Sequence, residues 1–204
     1  APSGAAGMNR AVWDLRYDGS PPPRVAGTSP DAEQADLAER VGFGGAGGPS
    51  VTPGDYIVTV RVNRQEFKKT LKVDIDPRAQ ATTEDLVAQR DKALELRDLN
   101  TRVTTVIDRN TDLMRQLTAV TENIRRNAPN EKEALNEAES ALKELKALRD
   151  ETLLRPIQGL GYRQFPRLRE EITTLYGAVS RSVSRPTDPQ VQRSGELQTE
   201  TGTA

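Results

Sequence analysis

The sequence predicts an α+β fold, with antiparallel strands in the first third and an antiparallel three-helix bundle after them. Three observations carry this reading. Apolar residues recur at every second position in residues 12–17 and 56–75, and at every third to fourth position after Pro77. The change of period falls on Asp76-Pro77-Arg78 with almost no linker. The connections between the later periodic segments are short, as antiparallel neighbours require. The expected organisation is a β domain over 1–77 with a long Gly/Pro-rich loop at 18–53, a helical bundle over 78–185, and a polar tail over 186–204.

Val12 to Tyr17 alternates, with Trp13, Leu15 and Tyr17 on one side and Asp14 and Arg16 on the other, the period of a half-buried strand. From Asp18 to Pro53 the chain is rich in Gly, Pro, Ser and Ala; only Ala32 to Val41 resembles a short helix. Pro53-Gly54 opens a hairpin. Tyr56, Val58, Val60 and Val62 share one face of its first strand, and Phe67, Leu71, Val73 and Ile75 share a face of its second, with Asn63-Arg64-Gln65 as the turn.

Thr82 followed by Asp85 reads as a helix N-cap. Leu86, Ala93, Leu96, Val103, Ile107, Met114, Leu117 and Ile124 then form one stripe along a helix of roughly ten turns or more. Asn100 and Asn110 fall on that stripe, where buried polar groups cost stability and can fix the register of neighbouring helices. Ala128-Pro129-Asn130 breaks the pattern. Asn130 with Glu133 restarts it as a second capped helix carrying Leu135, Ala138, Leu142, Leu145 and Leu148, its acids toward the start and its bases toward the end, in the order the helix dipole favours. Pro156, Gly159 and Gly161 end this segment. Pro166 opens a third helix with Leu168, Ile172, Leu175, Val179 and Val183 inward, stopping before Pro186. The tail from Thr187 has no sustained apolar stripe and is expected to fray.

Composition excludes several functions. In 204 residues there is neither histidine nor cysteine. Ser–His–Asp and Cys–His catalysis, His metal sites, thiolate metal sites and disulfides are therefore impossible within this chain. A formal net charge of −1 removes the electrostatic footprint of a protein that wraps nucleic acid. No apolar run approaches the length of a membrane span. The chain begins with Ala1, so a processed product or a portion of a longer protein is expected.

Gly42-Phe43-Gly44-Gly45-Ala46-Gly47 spells the dinucleotide-binding fingerprint, but Pro49, Pro53 and a hairpin follow it where a helix N-terminus must receive the pyrophosphate. A glycine loop is the better reading, and no cofactor is expected. Asp14, Asp55, Asp74 and Asp76 are the candidates for a catalytic carboxylate pair; acids on strand faces and ends more often pair with a nearby base, so no catalytic residue is expected. Asp74 and Asp76 fall short of the roughly six to eight oxygens that calcium needs, so no metal is expected. Arg125-Arg126 and Arg163 to Arg169 are interleaved with acids and read as a solvated bundle surface.

The segment Gly7-Met8-Asn9-Arg10-Ala11-Val12-Trp13-Asp14-Leu15-Arg16-Tyr17 resembles one found after the β-propeller of bacterial sortilin-like, Asp-box (BNR) repeat proteins, often labelled glycosyl hydrolases. Gly48-Pro49-Ser50-Val51-Thr52-Pro53-Gly54-Asp55-Tyr56 resembles their hairpin entry, and Asp76-Pro77-Arg78 their sheet-to-helix junction. Phe165-Pro166-Arg167-Leu168 and Arg185-Pro186-Thr187-Asp188 resemble their later helical segments. The resemblance implies a partial immunoglobulin-like antiparallel β-sandwich ahead of the helices, and a periplasmic or secreted location. Propeller boxes are absent here; Ser29-Pro30-Asp31 lacks the later Gly and Trp, so any hydrolase activity implied by the label cannot be assigned to a residue of this chain.

The expected function is a non-catalytic extracytoplasmic binding or scaffolding module. The alternatives are a fragment of a sugar-cleaving propeller enzyme and a peripheral structural subunit of a large membrane-bound complex. Three strands are few for a two-layer sandwich, so a protein partner or a preceding domain is expected to complete the sheet. Trp13, Tyr56 and Phe67, as the aromatic residues of the strand faces, are the expected partner-binding residues.

Overall fold

The computed structural model describes residues 7–23, 47–156 and 164–203. The suggested helix at Ala32 to Val41, most of the glycine motif and Arg163 lie outside the described residues. Among the described residues, two small antiparallel sheets and four helices make up a mixed α+β structure that is mostly helical.

The first sheet pairs β1 (Arg16–Asp18) with β2 (Gly47–Ser50). The strand expected from Val12 is shorter than its alternation suggests, because Leu15 takes a left-handed conformation with φ of 59°. Asp14 Oδ1 accepts the Arg16 N–H at 3.1 Å and holds that bend. In β2, a Cβ on Gly48 would stand 1.9 Å from the Tyr17 carbonyl oxygen, so only glycine permits the approach.

The second sheet is the hairpin of β3 (Gly54–Val62) and β4 (Gln65–Val73). Its turn is the two residues Asn63-Arg64, both at positive φ, and Gln65 already belongs to β4. Pairing is regular throughout, Tyr56 opposite Leu71, Val58 opposite Lys69 and Val60 opposite Phe67. The two apolar sets expected on separate faces therefore lie on the same one.

Helix α1 (Thr83–Asn127) is the spine, 45 residues and about 67 Å long. Thr82 caps it: its hydroxyl accepts the Asp85 N–H at 3.1 Å while the Asp85 carboxylate accepts the Thr82 N–H at 3.2 Å. Helix α2 (Lys132–Ala147) folds back along the distal half of α1. Glu131, not Asn130, occupies its N-cap, without a side-chain hydrogen bond. A π-helical turn, Leu148–Leu153, continues α2 and was not expected.

Helices α3 (Leu168–Arg181) and α4 (Asp188–Thr203) pack on the proximal half of α1. Helix α4 replaces the expected fraying tail, because Leu197 is fully buried in the main core with Leu99, Val103, Ile107, Leu153, Leu168 and Ile172. A second cluster joins Ala93 and Leu96 of α1 to Tyr176 and Val179 of α3. Val183, expected inward, lies beyond the end of α3 and is exposed.

Candidate functional site: an uncovered hairpin face

The β1–β2 sheet is tied to the helices through its backbone. The buried Tyr176 hydroxyl donates to the Gly47 carbonyl at 2.9 Å, and Arg97 donates to the Asp18 carbonyl at 3.3 Å. Within the sheet, Arg16 donates to the Gly48 carbonyl at 3.0 Å. Burial pushes the Tyr176 phenol above its ordinary range, which keeps it a donor. Gly47, the last glycine of the dinucleotide-like motif, thus serves as a strand residue and an acceptor for Tyr176.

The β3–β4 hairpin is different. It makes no extensive contact with any other described element. At its base, Tyr56 donates to the Thr52 carbonyl at 2.6 Å, and the Thr52 hydroxyl accepts from Arg90 of α1 at 3.1 Å. The Tyr56 ring meets Trp13 edge to face, centroids 5.5 Å apart, and the Trp13 indole N–H donates to the Arg16 carbonyl at 3.1 Å. One anchored end carries a projecting ribbon.

Strand alternation gives that ribbon two chemically distinct faces. Arg61, Glu66, Lys68 and Lys72 stand on one, where Glu66 bridges Arg61 and Lys68, each at 2.8 Å. Hydrogen bonds from Lys68 and then Arg61 hold the Glu66 carboxyl below its ordinary range. Tyr56, Val58, Val60, Val62, Phe67 and Leu71 stand on the other, and beyond the half-buried Tyr56 this face is uncovered: Val60 is 50% exposed and Phe67 57%. Val58, Val60, Phe67, Lys69 and Leu71 of this face line a shallow concavity of about 540 Å³.

Of the three residues expected to bind a partner, Trp13 and Tyr56 are in contact at the hairpin base. Phe67 lies on the same face as Tyr56 but opposite Val60, about 14 Å further along the strand. The valines complete the surface between them. Lys69 also belongs to this face, and sequence reasoning passed over it although its alternation with Phe67 and Leu71 marks it.

The acids considered for catalysis or calcium lie against basic or backbone groups, Asp55 and Asp74 both acting on Lys72. Asp74 pairs with Lys72 at 2.9 Å, Asp76 with Arg78 at 2.7 Å, and Asp14 holds the Arg16 amide. No group of three or more carboxylates able to hold a metal ion occurs among the described residues. A second concavity, beside the π turn and α4, includes Glu171 and Glu200, both paired with Arg193. Hydrogen bonds that Arg193 donates first to Glu200 and then to Glu171 raise its guanidinium above the ordinary range. Among the described residues no helix is long and apolar enough to cross a membrane. No family model, curated protein or solved structure matches the chain.

Proposed function

We propose that the chain is a non-catalytic binding or scaffolding module that docks polypeptide on the apolar face of the β3–β4 hairpin. One observation carries this reading: Val58, Val60, Val62, Phe67 and Leu71 stand exposed together on one face, beside the half-buried Tyr56, whereas the reverse face carries the charged Arg61, Glu66, Lys68 and Lys72 with Ile57 as its one large apolar side chain. Isolated two-stranded ribbons are marginal in water, and burying this face is what would stabilise one. The hairpin then supplies one layer of an immunoglobulin-like sandwich whose other layer belongs to the partner or to a domain of a longer protein. Trp13, Tyr56 and Phe67 are its aromatic anchors, since binding energy concentrates in a few large desolvated side chains. The extracytoplasmic location rests on the resemblance of the Gly7–Tyr17 and Gly48–Tyr56 segments to post-propeller regions.

The test is site-specific photo-crosslinking in the source cells. A crosslinking residue at Phe67 is expected to yield one discrete adduct, and the same residue at Thr59, on the reverse face, none. Tyr56→Ala should weaken the adduct at position 67 while helical circular dichroism is unchanged. Equal labelling from both faces, or adducts formed only from helix positions such as Leu113, would overturn the proposal.

A further inference from the structure

Resting on the docking reading above, we infer that Lys69 selects the partner: it excludes a second copy of this chain and admits an apolar sheet face that presents a carboxylate. Five cross-strand pairs project onto the apolar face: Gly54–Val73, Tyr56–Leu71, Val58–Lys69, Val60–Phe67 and Val62–Gln65. Lys69 stands in the middle pair. Phe67 and Leu71 flank it along its own strand and Val58 lies across from it.

Its situation differs from that of its neighbours on β4. Lys68 and Lys72 point to the reverse face and pair with Glu66 and Asp74. No carboxylate among the described residues pairs with Lys69. A polar face would hide an unpaired lysine among solvated groups; here the charge sits inside the surface that must be dried when anything packs on it.

Two copies meeting face to face about a two-fold axis would bring the middle pair onto itself, at the roughly 10 Å spacing of packed sheets. Lys69 would then confront its own symmetry mate in a layer without water, and like charges so placed are strongly unfavourable. A partner face with Asp or Glu at that position turns the same contact into a charge-assisted pair. The apolar residues supply attraction to any sheet, and Lys69 supplies the repulsive element that discrimination needs.

The probe is the chain itself, studied by sedimentation equilibrium over one concentration series. Wild type alone and Lys69→Glu alone are each expected to be monomeric. Their equimolar mixture should form a heterodimer at least about tenfold tighter than either self-association. Lys69→Leu alone should dimerise, and a mixture of wild type with Lys68→Glu, altered on the reverse face, should not associate. Self-association of wild type as tight as that of Lys69→Leu would refute the selecting role. Dimerisation of Lys69→Leu with a monomeric wild-type and Lys69→Glu mixture would refute the carboxylate preference and leave the docking face standing. Monomers in every sample would remove the docking face as well.

Discussion

At the scale of the residue, buried polar groups decide how the helices are joined. Asn110 is nearly fully buried, and its side-chain N–H donates to the Leu145 carbonyl at 3.0 Å, across from α1 to α2. That carbonyl stands where α2 gives way to the π turn, three residues before Leu148, whose own amide reaches both the Glu144 and Leu145 carbonyls. A helix that changes pitch loosens its hydrogen bonds there, and Asn110 supplies a second donor. Glu170 plays the corresponding part on α3: its carboxylate accepts the Arg167 N–H at 3.0 Å and the Arg155 N–H at 3.3 Å, tying the end of the π-turn segment to the start of the helix. Burial is the larger influence and raises its pKa from 4.5, against the opposing hydrogen bond from Arg167 and the charge of Arg155. A folded-state pKa above the unfolded value means that the fold binds the proton more tightly, so this group's contribution falls as pH rises from the unfolded carboxylate range to the raised value, and is constant above it. Glu170→Gln keeps the acceptor and cannot ionise. Its stability relative to wild type, measured by urea unfolding at a series of pH values, should therefore rise through that window and then level; a flat or falling difference would show that Glu170 is not held against ionisation by its surroundings.

At the scale of the element, α4 is the sharpest case of structure that composition hides. Residues 188–203 contain only Val191 and Leu197 as large apolar side chains, too few to make a stripe. The helix is held instead by one buried leucine and a polar seam, in which Ser194 donates to Glu95 at 3.1 Å and Arg193 binds Glu171, Glu196 and Glu200. Leu197→Ala should cost about 2–5 kcal/mol. Thr199→Ala, on the exposed side, should stay within about 0.5 kcal/mol. Equal midpoints for the two variants in chemical denaturation would show that α4 is not part of the core. By contrast, α1 was legible to its first turn, because Thr82 and Asp85 form the capping box their spacing announces and an apolar period, interrupted at Asn100 and Asn110, runs on from Leu86. The hairpin was legible for the same reason, a clear period of two around a short turn. Neither β2 nor the π turn was: Gly-Gly-Pro-Ser has no side-chain pattern, and its strand character comes from contacts with Tyr176 and Arg16 far away in sequence. The pairing of the hairpin's two apolar sets onto one face needed the register, which a two-residue turn at Asn63-Arg64 sets and a three-residue turn does not.

At the scale of the whole molecule, the described chain divides its apolar surface unequally. The helices and the π turn build a core of Leu, Ile, Val, Ala and Tyr to which the β1–β2 sheet is tied by hydrogen bonds, whereas the hairpin, anchored at Thr52, Tyr56 and Trp13, keeps its apolar side in solvent. A rigid base and an open ribbon make a scaffold that presents a surface, and the account stands on that ribbon being incomplete by itself. Amide hydrogen exchange, followed residue by residue on the chain alone and again in the adduct captured through position 67, tests this most directly. In the free chain the amides of Tyr56 to Leu71 should exchange at rates close to those of unprotected backbone while Leu96 to Val103 stays protected, and in the adduct the hairpin should become slow with the helices unchanged. A hairpin as protected in the free chain as the α1 core, with no further slowing in the adduct, would contradict the account.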